Sequence, residues 1–540
     1  MADADLVSAL ENATLVVPAA AGFPQARFAL YPTSRADLTV LTGALNTALL
    51  PLSPDIRRFS AVEQGVLILT LPGRTFSSQP GSAFDAAYLI SERFGLDAAE
   101  PEIHTALYPG DVAGQDKHLE GIDFTRFCFA EVDARLEEQK TWALHAAKVI
   151  DAWEYSASLG RPVKGSGIVI AQPDTGVTPH PELAEVRSVA GIDLVDNKPG
   201  GLDPLGYEGN PSHGTGTASV VVSPEHGEVT GSAPEAWHMP IRAIESVVRL
   251  SQFRVAEAID YATEHGAHVI TMSLGGVPSL VLWRALQRAI LKDVIVLAAA
   301  GNCAKVVVWP ARYEECIAVA GVNYDGQAWR GTCSGPDVDI SAPAENVYRA
   351  RSERRDGGFS YVVEQGQGTS FAVALTAGIA ANWLAHHGRD RVIAEARTRG
   401  ESVQNLFRRL LRATAHRPDV WDERNMGAGI VDALALLKAP FDKAVDEAYS
   451  ESRTALPSSS IRTLAQEVGG VEAPGDINLE RYGMEVALSV LEGQRRQRVG
   501  EEPDSITQEH TGMQDRPKRT SVRLRSAAVQ SRALADLLER

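Results

Sequence analysis

At 540 residues the chain is longer than one hydrophobic core usually serves, and its 44% hydrophobic and 22% charged residues are the composition of folded domains. A formal charge of −17 argues against nucleic acid or an anionic membrane surface as a general partner. Four cysteines, Cys128, Cys303, Cys316 and Cys333, are too few and too irregularly spaced for a disulfide framework or a paired-cysteine metal site, and read as free thiols of a reducing compartment.

The first residues, Met1-Ala2-Asp3-Ala4-Asp5-Leu6, carry no basic group, and the apolar patch over 13–21 follows Glu11 and is broken by Pro18, so no export signal is read there. No apolar run reaches the roughly 18 residues of a membrane helix. The expectation is a cytoplasmic protein, not bound to membrane, with a tail over 1–25.

Residues 26–32 read as a strand, and 35–49 carry apolar residues at helical spacing. A hairpin over 56–63 and 66–71 turns near Gln64-Gly65, a second helix covers 83–94, and 102–108 supplies one more strand. The order β-α-β-β-α-β over 26–109 is ferredoxin-like, which by itself assigns no function. Residues 110–141 read as a linker, and helix is expected from Trp142 to about Trp153.

The apolar strand Ile168-Val169-Ile170-Ala171 runs into Pro173-Asp174-Thr175-Gly176-Val177, so Asp174 sits where a buried strand emerges. Ser212-His213-Gly214-Thr215 opens a helix with histidine in its first turn. Strands over 269–274 and 294–300 flank a helix over 280–291, and this alternation predicts an α/β fold with a mostly parallel sheet covered on both faces. Ligands of such sheets bind at the carboxyl ends of the strands. Asp174, Ser273 and Asn302 lie at those ends, and His213 and Ser370 begin helices that start from the same rim.

Gly368-Thr369-Ser370-Phe371-Ala372 leads a run of small residues, which places Ser370 at a helix N-terminus where orphan N–H groups favour negative charge. Each motif alone has an ordinary reading: Gly-Thr-Ser as an N-cap, Gly301-Asn302 as turn chemistry, Asp174-Thr175-Gly176 as an aspartic-protease triplet. The last would need a second such triplet, and there is none. Together, a hydroxyl, an imidazole and a carboxylate are the groups acyl transfer requires.

Asp174-Thr175-Gly176-Val177 with His180-Pro181-Glu182-Leu183, His213-Gly214-Thr215, Ser273-Leu274-Gly275-Gly276, Ala299-Ala300-Gly301-Asn302 and Gly368-Thr369-Ser370 follow one another in the order seen in the subtilisin-like serine proteases, and the chain resembles that family over roughly 142–438. The resemblance implies a three-layer fold and a serine endopeptidase working through an acyl-enzyme. It assigns Ser370 as nucleophile, His213 as its base, Asp174 as the orienting carboxylate, and Asn302 as a donor to the oxyanion beside the Ser370 N–H. It also implies that Ser273, Leu274 and Gly275 pair with the substrate backbone, and that Ala299, Ala300 and Gly301 form the other wall of the first specificity pocket. Residues 26–109 would be an inhibitory prodomain, so the expected partners are a protein or peptide substrate and the chain's own N-terminal module, in a latent zymogen. A catalytically silent scaffold is the rival reading.

The chain departs from the family in places. Ala374 stands where a proline is usual, and the short connection between His213 and Ala233 leads us to expect neither metal nor cofactor. The short loop after Asn302 puts Val308 near the pocket base, which favours a small or medium apolar side chain before the scissile bond. The extension over 439–540 has a turn-like run over 457–460, a helix over 479–492 and the basic residues Arg516, Lys518, Arg519, Arg523 and Arg525. It reads as a mostly helical or partly disordered, solvated tail, with a partner-docking arm as the alternative.

Overall fold

Leu6, Leu10 and Ala13 recur at helical spacing, and residues expected as a tail instead form helix α1 (Asp3–Ala13), which buries those three side chains. Strand β1 (Thr14–Val16) then pairs antiparallel with β5 (Arg74–Phe76). The computed structural model describes residues 3–17, 25–77, 80–103, 130–443, 460–467, 479–500 and 520–530, with short gaps at 208, 248–250, 304–305, 356–357, 463 and 465–466.

The N-terminal module continues with β2 (Ala26–Tyr31), α2 (Leu38–Ala48), β3 (Asp55–Arg58), β4 (Leu67–Leu71), α3 (Pro80–Phe94) and β6 (Ala98–Pro101). Its antiparallel sheet has the order β3-β4-β2-β6, as the ferredoxin-like reading requires. Helix α2 starts later than the periodicity suggested because Asp37 caps it, its Oδ1 accepting from Thr39 N at 2.8 Å. The last strand lies over 98–101 and not 102–108, and most of the expected range falls outside the described residues.

Alternation along the module's strands explains its position. Phe28, Leu30, Leu67 and Leu69 face α2 and α3, whereas Ala29, Tyr31, Ile68, Phe59 and Val66 belong to the core that contains Phe253, Ile259 and Ala285 of the following domain. Both faces of the sheet are therefore buried along β2 and β4, while the edge strand β3 stays largely exposed.

That domain begins with α4 (Trp142–Ala146) and α5 (Val149–Ser158), one expected helix broken where Lys148 adopts φ 55°. Its sheet comprises β7 (Val169–Asp174), β8 (Ile192–Asp193), β9 (Lys198–Pro199), β10 (Trp237–Arg242), β11 (Val269–Met272), β12 (Ile295–Ala299), β13 (Ile317–Val322) and β14 (Ile340–Pro343). The order is β14-β13-β12-β11-β7-β10-β8-β9, parallel except at β8–β9. The chain builds outward from β7 on one side and returns to start β11 on the other, so the strand order reverses there. Ile170, Val269, Ile295 and Ile317 point to one core, and Ala171, Ile270, Val296 and Ala318 to the other.

Helices α6 (His213–Val222), α7 (Gln252–Glu264) and α8 (Leu280–Leu291) connect these strands, the last over the predicted range. A hairpin of β15 (Val347–Arg355) and β16 (Gly358–Gly366) precedes α9 (Thr369–His387), which is buried from Thr369 to His386, as its small and apolar run requires. Then come α10 (Arg389–Thr398), α11 (Val403–Ala413), α12 (Glu423–Met426) and α13 (Ala433–Lys438).

The extension is not a solvated tail in its described parts. It supplies α14 (Leu479–Gly500) and α15 (Val522–Gln530), and Ile461, Leu464, Val486, Ala487, Leu488, Val490 and Leu524 are all buried. Arg516, Lys518 and Arg519 lie outside the described residues.

Candidate active site

Strand β7 ends at Asp174 and β11 at Met272, one residue before Ser273, so the crevice at the point of reversed strand order lies between them. Asp174 is 1% exposed. Its Oδ1 accepts from Thr175 N at 2.7 Å and faces His213 Nδ1 at 2.8 Å. His213 Nε2 lies 3.1 Å from Ser370 Oγ. With Nδ1 donating to the carboxylate, Nε2 is left to accept the serine proton.

Buried side chains absent from the sequence-based site hold this line. Asp203 Oδ2 accepts from Thr175 Oγ1 at 3.0 Å and from Ser212 N at 2.7 Å, so one carboxylate ties the residue after Asp174 to the residue before His213. Burial raises its pKa. Beneath Asp174, Gln172 Nε2 donates to Thr217 Oγ1 at 2.6 Å and to Gly214 O at 2.9 Å, while its Oε1 faces His238 Nε2 at 2.8 Å. Thr217 Oγ1 in turn donates towards Asp174 Oδ2 at 3.2 Å. Their only signal in the sequence is a glutamine inside an apolar strand.

Asn302 lies at the same rim. Its Oδ1 accepts from Thr369 N at 3.0 Å and Thr369 Oγ1 at 2.8 Å, which fixes the amide plane and turns Nδ2 outward. A Cβ on Gly368 (φ 152°) would stand 3.4 Å from Asn302 Nδ2 and 3.7 Å from Ser370 N. The hollow this glycine leaves is bordered by two N–H donors.

The expected substrate-binding residues are placed unevenly. Ser273 Oγ donates to Ser370 O at 3.1 Å, bracing the Ser370 backbone. Leu274, Ala299 and Ala300 send their side chains into the core, so they contribute backbone alone. Gly275 N donates to Val247 O at 2.9 Å, so an added substrate strand would have to displace that segment. A Cβ on Gly275 would meet Val308 Cγ2 at 2.5 Å, and one on Gly301 would meet the same methyl at 3.0 Å. Val308 thus stands between the two walls. Among the described residues no group of three or more His, Cys, Asp or Glu side chains is arranged to hold a metal ion.

A family model described as the subtilase family, peptidase S8, matches residues 165–437. Thermitase of Thermoactinomyces vulgaris is 35% identical over 229 residues, 42% of this chain and 77% of thermitase. The major intracellular serine protease of Bacillus subtilis (strain 168) is 30% identical over 278 residues, 49% of this chain and 81% of that protein. A thermostable alkaline protease of Halalkalibacterium halodurans is 33% identical, and the chain spans 58% of its length. Among solved structures, fervidolysin of Fervidobacterium pennivorans, a keratinolytic enzyme related to subtilisin, aligns over 78% of this chain and 62% of its own with a TM-score of 0.57 and 22% identity, a likeness of fold.

Proposed function

The chain belongs to the subtilase family, and from that premise we propose that it is a serine endopeptidase, made latent, whose chemistry runs through Ser370, His213 and Asp174. The observation that carries the assignment is the continuous line from Asp174 Oδ1 to His213 at 2.8 Å and on to Ser370 Oγ at 3.1 Å. His213 Nε2 takes the hydroxyl proton as Ser370 Oγ attacks the scissile carbonyl. The charge that develops on the carbonyl oxygen falls in the hollow at Gly368, towards Asn302 Nδ2 and Ser370 N. The imidazolium, held by Asp174, then protonates the leaving amine, and water repeats the sequence on the acyl-enzyme.

Latency is supported by how the module sits. Its Glu100 accepts from Leu280 N at 2.9 Å, Val281 N at 3.2 Å and Ser279 Oγ at 2.9 Å, capping α8 from another part of the chain. Its Glu102 meets Ser251, the N-cap of α7, and Arg27. Beyond Ile103 the segment that would thread the cleft lies outside the described residues; the chain resumes with Ala130 N donating to Gln367 Oε1 at 2.7 Å, three residues before Ser370. A cytoplasmic location is our reading from the few, irregularly spaced cysteines and from the likeness to an intracellular protease. Protein substrates follow from the family.

The test is labelling of the full chain by a fluorophosphonate after prolonged incubation. Adduct on wild type and none on Ser370→Ala is the expected result; adduct on both at equal yield places the nucleophile elsewhere.

A further inference from the structure

The C-terminal extension lies across the seam between the module and the catalytic layer. On α14, Leu488 shares one apolar cluster with Ala83, Phe84 and Tyr88 of α3, with Ile103 just past β6, and with Val277 just past the Ser273–Gly276 segment. Glu485 accepts from Tyr88 Oη and from Ser521 Oγ, each at 2.9 Å, and from Ser521 N. Asp85 of α3 caps α15, accepting from Val522 N at 2.8 Å and Arg523 N at 3.2 Å. Glu92 of α3 pairs with Arg523 at 2.9 Å and also with Arg481. A Cβ on Gly81 would fall 2.6 Å from the Thr520 carbonyl, so the two backbones touch where only glycine allows it.

The other end grips the enzyme. Ser460 Oγ accepts from Trp309 Nε1 at 3.2 Å, and Glu467 pairs with the buried Arg312. Ile461 and Leu464 join the core that contains Trp309 and Tyr313. A cavity of about 650 Å³, lined by Tyr31 and Glu100 of the module, Trp283 and Arg284 of the enzyme and Met484 of the extension, remains where the three parts meet.

We propose that the described parts of the extension, within 460–467, 479–500 and 520–530, form a clasp whose binding surface is the α3 face of the module, so that cutting the chain between module and enzyme does not release the module until the clasp opens. The inference rests on the reading of the module as the cover of the cleft. Its physical basis is that the clasp is tethered to the enzyme at Trp309 and Arg312 and to the module at α3, which keeps the two at a high effective concentration even when the direct connection is broken.

The amides of Leu280 and Val281 donate to the module's Glu100 and so report docking directly. In full-length Ser370→Ala protein whose chain between module and enzyme has been cut by an added protease, Arg481→Glu with Arg523→Glu is expected to speed hydrogen exchange at these amides by roughly tenfold or more, and adding Glu92→Arg to restore protection. Leu488→Ala is an uncharged check, expected to act in the same direction. Unchanged exchange in both variants overturns the clasp. With Ser370 present, hydrolysis of a peptide by the opened variants is expected to rise. Faster exchange without that rise upholds the clasp and removes the covering role of the module, so the two readings fail separately.

Discussion

Around Asp174, the side chain whose role is least obvious is Thr217. Gln172 spends both N–H groups, on Gly214 O and Thr217 Oγ1, and its carbonyl faces His238 Nε2. Burial pushes His238 down to about 4, so at neutral pH it is an uncharged donor with its proton on Nε2. Thr217 is thereby filled on its acceptor side, and its proton points among Asp174 Oδ2 and His213 O, both at 3.2 Å, and Gly214 O at 3.3 Å. A donor on Oδ2 draws charge from the carboxylate and weakens its hold on the imidazolium. Thr217→Val keeps the shape and removes the donor, so the acidic limb of the kcat/KM profile is expected to move to higher pH. The orphaned Gln172 N–H costs about 1–2 kcal/mol of stability in the same variant. Thr217→Ser should restore the profile. A lowered Tm with an unmoved profile in Thr217→Val would make Thr217 structural only.

Among the elements, the connection from β12 to β13 fills the space between Gly275 and Gly301, where we propose the first specificity pocket. Val308 fills the space between Gly275 and Gly301, and it is fixed from behind: Arg312 Nε donates to Val307 O at 2.8 Å, and the guanidinium pairs with Asp337 and Glu467. Cleavage after Ala or Val is therefore expected to exceed cleavage after Phe or Lys by at least roughly 10- to 200-fold in kcat/KM, the range a single methylene sets in a hydrophobic pocket. Val308→Gly should reverse the order, as read in a peptide library; efficient cleavage after Phe by the wild type would show that the valine moves aside. This wall was legible in the sequence because the loop is short and the valine is flanked by apolar neighbours, as was α8, whose apolar residues keep strict helical spacing. Strand β6 was not. Its central residue, Glu100, is a buried carboxylate that caps another helix, and a hydropathy reading rejects a charge in a strand whose partner lies 180 residues away. The same limit hid Gln172, Asp203 and Thr217: their partners are set by the fold, whereas Asp174, His213, Asn302 and Ser370 sit in short motifs at element ends.

For the whole molecule, β4 shows the module docked on both sides: Leu67-Ile68-Leu69-Thr70-Leu71 is buried along its length, one face on its own helices and the other on the enzyme. The clasp adds pH dependence to that docking. Burial at the seam, with a smaller push from Asp85 and against the hydrogen bonds of Ser521 and Tyr88, raises Glu485 to about 7 from an ordinary 4.5; nearby Arg523 pairs with Asp85 and Glu92. A carboxyl whose pKa is higher when docked takes up a proton on docking, so its contribution is complete below about 4.5 and is lost as pH rises through about 7. Glu100, also raised by burial, works in the same direction. Protection factors of the Leu280 and Val281 amides in Ser370→Ala protein, corrected for intrinsic exchange, are expected to fall by up to about tenfold per pH unit between pH 5 and 7 on account of Glu485. Glu485→Gln should lower that slope, and Glu485→Gln with Glu100→Gln should abolish it. A slope that survives Glu485→Gln in full would mean that Glu485 does not change its protonation on docking and that the pH dependence comes from other groups at the seam, Glu100 first.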